Sequence, residues 1–126
     1  RLVVAVGPLP STPGQADTET AVLAQHHAVD MLAKSERTGC ALGAALALLA
    51  DWAAIRPVLD TAARRLSLEF ERTALPNVDV LASVIRSAEN TTAADRAMLF
   101  GAQQIVAQHR GLWDLLEARA AARSDY

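Results

Sequence analysis

Three titratable side chains lie on the apolar sides of two predicted helices. His26 and Asp30 are one helical turn apart, and His109 stands between Ile105 and Trp113 near the end of the chain. A carboxylate four residues from a histidine can hold the imidazole in one tautomer and raise its basicity, as a general base requires. If the two helix faces meet, two imidazoles and one carboxylate converge inside a helical core. His26, Asp30 and His109 are therefore the candidate catalytic residues.

A ligand pocket beside these groups would be apolar. Met98, Ile105 and Trp113 follow the same helical spacing as His109, and we expect them to line a pocket for a small hydrophobic ligand. Such a site fits a cofactor-independent isomerase, cyclase or lyase, or a regulatory domain that binds its ligand without turnover. The structural alternative is that each histidine is a hydrogen-bonded core or interface residue, as isolated histidines on apolar faces usually are.

Motifs of established chemistry are missing from the sequence. The six glycines form neither GxGxxG nor GxxxxGK, and the chain has no GxSxG and no HExxH. Cys40 is the only cysteine, which excludes an intramolecular disulfide and a cysteine-based zinc site within one chain. No glutamate lies three residues before His109, as a di-iron helical site would need. We therefore expect no metal and no cofactor, and whether the protein is an enzyme stays open.

The composition favours a small all-α protein. The chain has 126 residues, enough for one domain; 52% of them are hydrophobic, and alanine, the best helix former, is the commonest type. The net charge is −2 and no basic stripe is present, so we expect no nucleic-acid binding. Nearly all of the basic residues are arginines, and Lys34 is the only lysine. Together with the alanine content, this usage suggests a bacterial protein from a GC-rich genome.

The apolar runs are short. The longest covers residues 40–50 and ends at Asp51, whereas a membrane span needs about 18 to 20 apolar residues. We interpret this run as part of a buried core helix and expect no membrane association. Because no targeting signal is visible, the expected localisation is the cytoplasm.

The predicted fold is a compact bundle of four to five helices with an extended N-terminal arm. Residues 1–14 form the arm, because proline and glycine recur from position 7 onward and the stretch 2–6 has the composition of a strand. Residues 15–126 form a single helical-bundle domain. Gly39 either separates two helices or bends one, and Pro57 either kinks a helix or begins a new one.

Apolar spacing places the helices at about 17–37, 38–54, 57–73, 78–88 and 92–122. In the first of them, His26 shares its inward face with Val22, Val29 and Ala33. The last helix has one continuous apolar stripe, expected to face the core: Met98, Ala102, Ile105, Val106, His109, Leu112, Trp113 and Leu116.

Three features predict association with a second chain. The last helix would be roughly 45 Å long, which is longer than a domain of this size requires. Gly39, Gly43 and Ala47 recur every four residues and leave a groove where another backbone can come close. The apolar stretch 2–6 has no strand partner in its own chain. The leading prediction is a non-enzymatic helical protein that acts through self-association, most simply as a homodimer, or through a protein partner.

Overall fold

The computed structural model describes residues 2–7, 12–69, 74–88 and 91–124. Over these ranges the chain forms five α-helices and no strand, which confirms the predicted all-α class. The helices are α1 (Leu2–Val6), α2 (Gln15–Ala33), α3 (Cys40–Arg65), α4 (Val78–Ser87) and α5 (Thr92–Ser124).

The predicted extended arm is wrong at its start, because Leu2–Val6 form the short helix α1. A helical turn forms its hydrogen bonds within one segment, whereas a lone strand would need a partner strand. Residues 8–11 of the predicted arm lie outside the described residues. Its end lies against α5, where Arg119 Nη1 donates to the carbonyl oxygen of Pro13 at 2.6 Å and Nη2 donates to Thr12 Oγ1.

Two long helices, α3 and α5, form the centre of the fold and run parallel to each other. Their N-terminal ends meet at Gly39 and Ala94, and further along Asp51 meets His109. α2 runs antiparallel to α5 and also contacts α3, and the short helix α4 lies against α3.

The contact between α3 and α5 is made through glycines. A Cβ atom added to Gly43 would overlap the carbonyl oxygen of Met98 and lie 2.6 Å from its carbonyl carbon. A Cβ atom added to Gly101 would overlap the carbonyl oxygen of Cys40 and lie 3.0 Å from its carbonyl carbon. Only glycine lets two helix backbones approach this closely. The predicted small-residue groove is confirmed, but α5 of the same chain fills it, so the groove no longer indicates a second chain.

The buried core of the described residues is small. Half of its hydrophobic members are alanines, and Ile105 is the largest fully buried side chain. The buried hydrophobic residues are Cys40, Ala44, Leu46, Ala63, Leu81, Ala94, Ala97 and Ile105. Close backbone contact therefore takes the place of interlocking large side chains, and many large apolar residues are left at the surface.

The two open questions about helix continuity have different answers. Gly39 has a φ of +92° at the start of α3, so α2 and α3 are separate helices. Pro57 lies inside α3, which continues to Arg65, whereas a boundary between two helices was expected near it. Proline removes the N–H that would bond the carbonyl of Ala53. Both residues are exposed, so water can satisfy that carbonyl and the helix continues.

Among the described residues, α3 is the one helix long and apolar enough to cross a membrane, with a mean hydropathy of 1.5 in its most apolar window. A membrane span was not expected because only uninterrupted apolar residues were counted, whereas the apolar window of α3 includes the charged residue Asp51. Eleven per cent of the window is buried within the fold.

Candidate functional site

His109 is paired with Asp51 across the two central helices. The ring Nδ1 and the carboxylate Oδ2 are hydrogen-bonded, and the two side chains are 11% and 34% exposed. The carboxylate orients the ring and favours the tautomer with its proton on Nδ1. The pair joins α3 to α5 about two helical turns beyond the glycine contact.

Asp51 is absent from the predicted site. It ends the longest apolar run of the sequence, and His109 interrupts an apolar stripe. Each is the kind of polar group that needs a partner when partly buried. Because 58 residues separate them, no local spacing rule connects the two, and only the parallel packing of α3 on α5 brings them together.

His26 lies on the exposed side of α2, so the prediction of a buried ring is wrong. The inward face of α2 is rotated by about 70° from the predicted one, counting 100° per residue. One reason is that the side chain of Gln25 faces α5 and donates to the carbonyl oxygen of Gln108 at 3.1 Å. The half-buried positions on this face are Thr18, Gln25, Ala28, Val29 and Leu32.

Asp30 is paired with a lysine. Its Oδ2 lies 2.6 Å from Lys34 Nζ, and this ammonium group holds the pKa of the Asp30 carboxyl below its usual value. Within the described ranges, no hydrogen bond joins any two of His26, Asp30 and His109. The structure therefore brings His109 together with Asp51 and leaves the other two predicted residues at the surface of α2.

The three predicted pocket residues lie in different surroundings. Met98 lines a groove, Ile105 is 1% exposed between α3 and α5, and Trp113 is 43% exposed. The groove that includes Met98 includes neither of the other two.

This groove of about 470 Å³ opens between α3, α4 and α5. Its walls are mostly aliphatic, with Leu46, Leu81 and Ile85 among them, and Asp95 is its one charged lining residue. His109 is not part of the lining of this groove. No cluster of three or more His, Cys, Asp or Glu side chains that could hold a metal ion occurs among the described residues.

Large apolar side chains on α4 and α5 are exposed to solvent. The predicted stripe of α5 is divided: Ile105 packs against α3, whereas Val106, Trp113 and Leu116 are left uncovered. The expectation that the whole stripe faces the core is therefore wrong for these three. The exposed set is Val78, Val80, Val84, Ile85, Leu99, Phe100, Val106, Trp113 and Leu116.

We predict that His109 and Asp51 stabilise the fold as a pair. A double-mutant cycle with Asp51→Ala and His109→Ala, measured by urea unfolding, should give a coupling free energy of about 1 to 2 kcal/mol, because each substitution leaves the other half-buried group without its partner. A coupling free energy near zero would show that the pair does not hold α3 to α5.

The comparisons with known proteins give one match. No curated protein and no solved structure matches this chain significantly. One family model, described as "Family of unknown function (DUF6975)", matches residues 1–124, nearly the whole chain. On this match, the chain belongs to the family DUF6975.

Proposed function

We propose that this protein acts through self-association, as a helical homodimer. The observation that carries the proposal is the amount of surface that one chain leaves exposed. Its accessible area is 9322 Å², whereas a compact protein of 13.4 kDa exposes about 6,500 Å². A standard dimer buries about 800 Å² on each partner. The surplus is larger than that.

The composition of the exposed surface supports the same proposal. Val78 is 77% exposed, and Leu99, Val106 and Leu116 are each more than half exposed. Monomeric soluble proteins rarely leave large contiguous apolar patches in water, and such patches usually mark interaction sites. Covering them with a second copy would supply the apolar burial that the small core of one chain lacks.

The paired histidine is structural in this proposal. His109 is oriented by Asp51 and joins two helices, and the other predicted acid–base residues, His26 and Asp30, lie on α2 without contact to it. The arrangement gives no observation in favour of the acid–base alternative.

We also propose that the protein is cytoplasmic and that α3 does not cross a membrane. Besides Asp51, helix α3 has a second ion pair, between Arg56 Nε and Asp60 Oδ1 at 2.7 Å. Charged side chains are costly inside a bilayer. The apolar surface of α3 is therefore better explained by contact with protein than by contact with lipid.

The test is the mass of the purified chain in solution. Sedimentation equilibrium at micromolar concentration should give twice 13.4 kDa, and the midpoint of thermal unfolding should rise with protein concentration, as mass action requires of a dimer. Circular dichroism of the same samples verifies that the helices are formed. A folded species with the mass of one chain would overturn the proposal.

A further inference from the structure

We propose that the two copies pair through α5, with the two α5 helices antiparallel; this inference rests on the self-association proposed above. The surface concerned is the α5 seam, which consists of Ala102, Val106, His109, Trp113, Leu116 and Ala120. These residues alternate at spacings of four and three. That spacing aligns side chains in one row along a helix that packs against another helix, as in a coiled coil.

The helices of the same chain leave the α5 seam largely uncovered. Val106 and Leu116 are each 54% exposed and Trp113 is 43% exposed, whereas Ile105, on the edge next to α3, is 1% exposed. His109 is bonded to Asp51 of α3, so the seam borders the intramolecular contact at that residue, whereas Val106, Trp113 and Leu116 lie beside the contact. A row with coiled-coil spacing that is mostly uncovered is incomplete in a single chain.

Helix α4 limits where a partner can lie. Leu99 and Ala102 line the groove that α4 borders, so a second long helix has room from Val106 to Ala120. This run is about 21 Å long at 1.5 Å per residue, and Trp113 stands at its middle. A central, partly exposed tryptophan is a typical anchor of a protein interface.

The charges beside the α5 seam favour the antiparallel orientation. Arg110 and Glu117 are exposed, lie on the solvent edge about 60° to 80° from the centre of the seam, and form no ion pair with another described residue. They also straddle Trp113 in the sequence. Reversing a second α5 about Trp113 therefore places Arg110 of each copy beside Glu117 of the other.

A parallel pair would not use these charges. In a parallel pair, the edge of one helix that contains Arg110 and Glu117 lies beside the other edge of the second helix. That other edge contains Ile105, which already packs against α3. An antiparallel two-fold pair sets the same edge of both helices side by side. The occupant that fits is a second copy of this chain, because the two halves of the seam are complementary to each other.

The test uses charge reversal at the two flanking positions. Arg110→Glu and Glu117→Arg each turn both intermolecular ion pairs into like-charge contacts, and each should raise the dimer dissociation constant about tenfold or more. The double variant Arg110→Glu/Glu117→Arg should return it close to the wild-type value. An equimolar mixture of the two single variants should also dimerise like the wild type, since both contacts are attractive in the mixed dimer. Asp114→Arg, about 120° from the centre of the seam, is the matched control and should leave the constant unchanged.

The outcomes separate this inference from the proposed function. A wild-type dimer that tolerates both single reversals, or whose loss neither the double variant nor the mixture restores, would overturn the antiparallel α5 pairing while self-association stands. A wild-type chain that sediments as a monomer would overturn both. All three substituted side chains are exposed, so the helical circular dichroism spectrum should be unchanged in every variant.

Discussion

Gly43→Ala is expected to destabilise the protein more than alanine at any of the other five glycines. Its Cβ would overlap the carbonyl oxygen of Met98 and lie 2.8 Å from the Met98 Cα. Both are backbone atoms, which cannot rotate away, so α3 and α5 must separate. We expect the free energy of unfolding to fall by about 2 to 4 kcal/mol, in the upper range for overpacked cores, although alanine is the better helix former.

Gly111→Ala is the matched control. This glycine also lies inside a long helix, but a Cβ added there meets no atom within 4 Å. Helix propensity then acts alone, and we expect a gain of about 0.5 to 1 kcal/mol. Urea unfolding followed by circular dichroism, at one fixed protein concentration, measures both variants. If Gly43→Ala were as stable as Gly111→Ala, the close contact between α3 and α5 would be wrong.

The glycine contact shows how far the sequence determines this fold. The recurrence of Gly39, Gly43 and Ala47 predicts that a backbone approaches α3, and one does. The identity of the approaching helix was not predicted. Ala93, Ala97 and Gly101 repeat the same four-residue spacing in α5, but alanine is so frequent along the chain that this spacing alone does not identify the partner of α3. Local spacing identifies a surface that needs a partner, whereas the partner depends on how the whole chain packs.

The candidate site was predicted less well for a related reason. Periodicity placed His26 and His109 on apolar faces, but it gives the direction of a face only to within a residue or so. On α2 that margin moves His26 from the core to solvent, because Gln25 takes the position against α5. On α5 the apolar stripe is wider than the contact that α3 makes through glycines, so Trp113 lies outside that contact.

Leu116→Glu is expected to convert the dimer into monomers. In the α5 seam the new carboxylate would be buried against apolar side chains of the other copy. Because the dimer is two-fold symmetric, it would contain two such carboxylates. Burying an unpaired charge costs several kcal/mol, so the dissociation constant should rise by about a hundredfold or more. Light scattering across a dilution series measures the change, and the variant should keep its helical circular dichroism because position 116 is 54% exposed in one chain.

Leu23→Glu tests whether the dimer depends on the α5 seam itself or on the hydrophobicity of the surface in general. Leu23 is 70% exposed on α2, more than Leu116, and it undergoes the same chemical change. If apolar surface of any kind drove association, Leu23→Glu would weaken the dimer at least as much. Since α2 lies outside the α5 seam, we expect its dissociation constant to stay at the wild-type value. Equal weakening by the two variants would mean that the chain associates through scattered apolar residues and not through one helix of defined spacing.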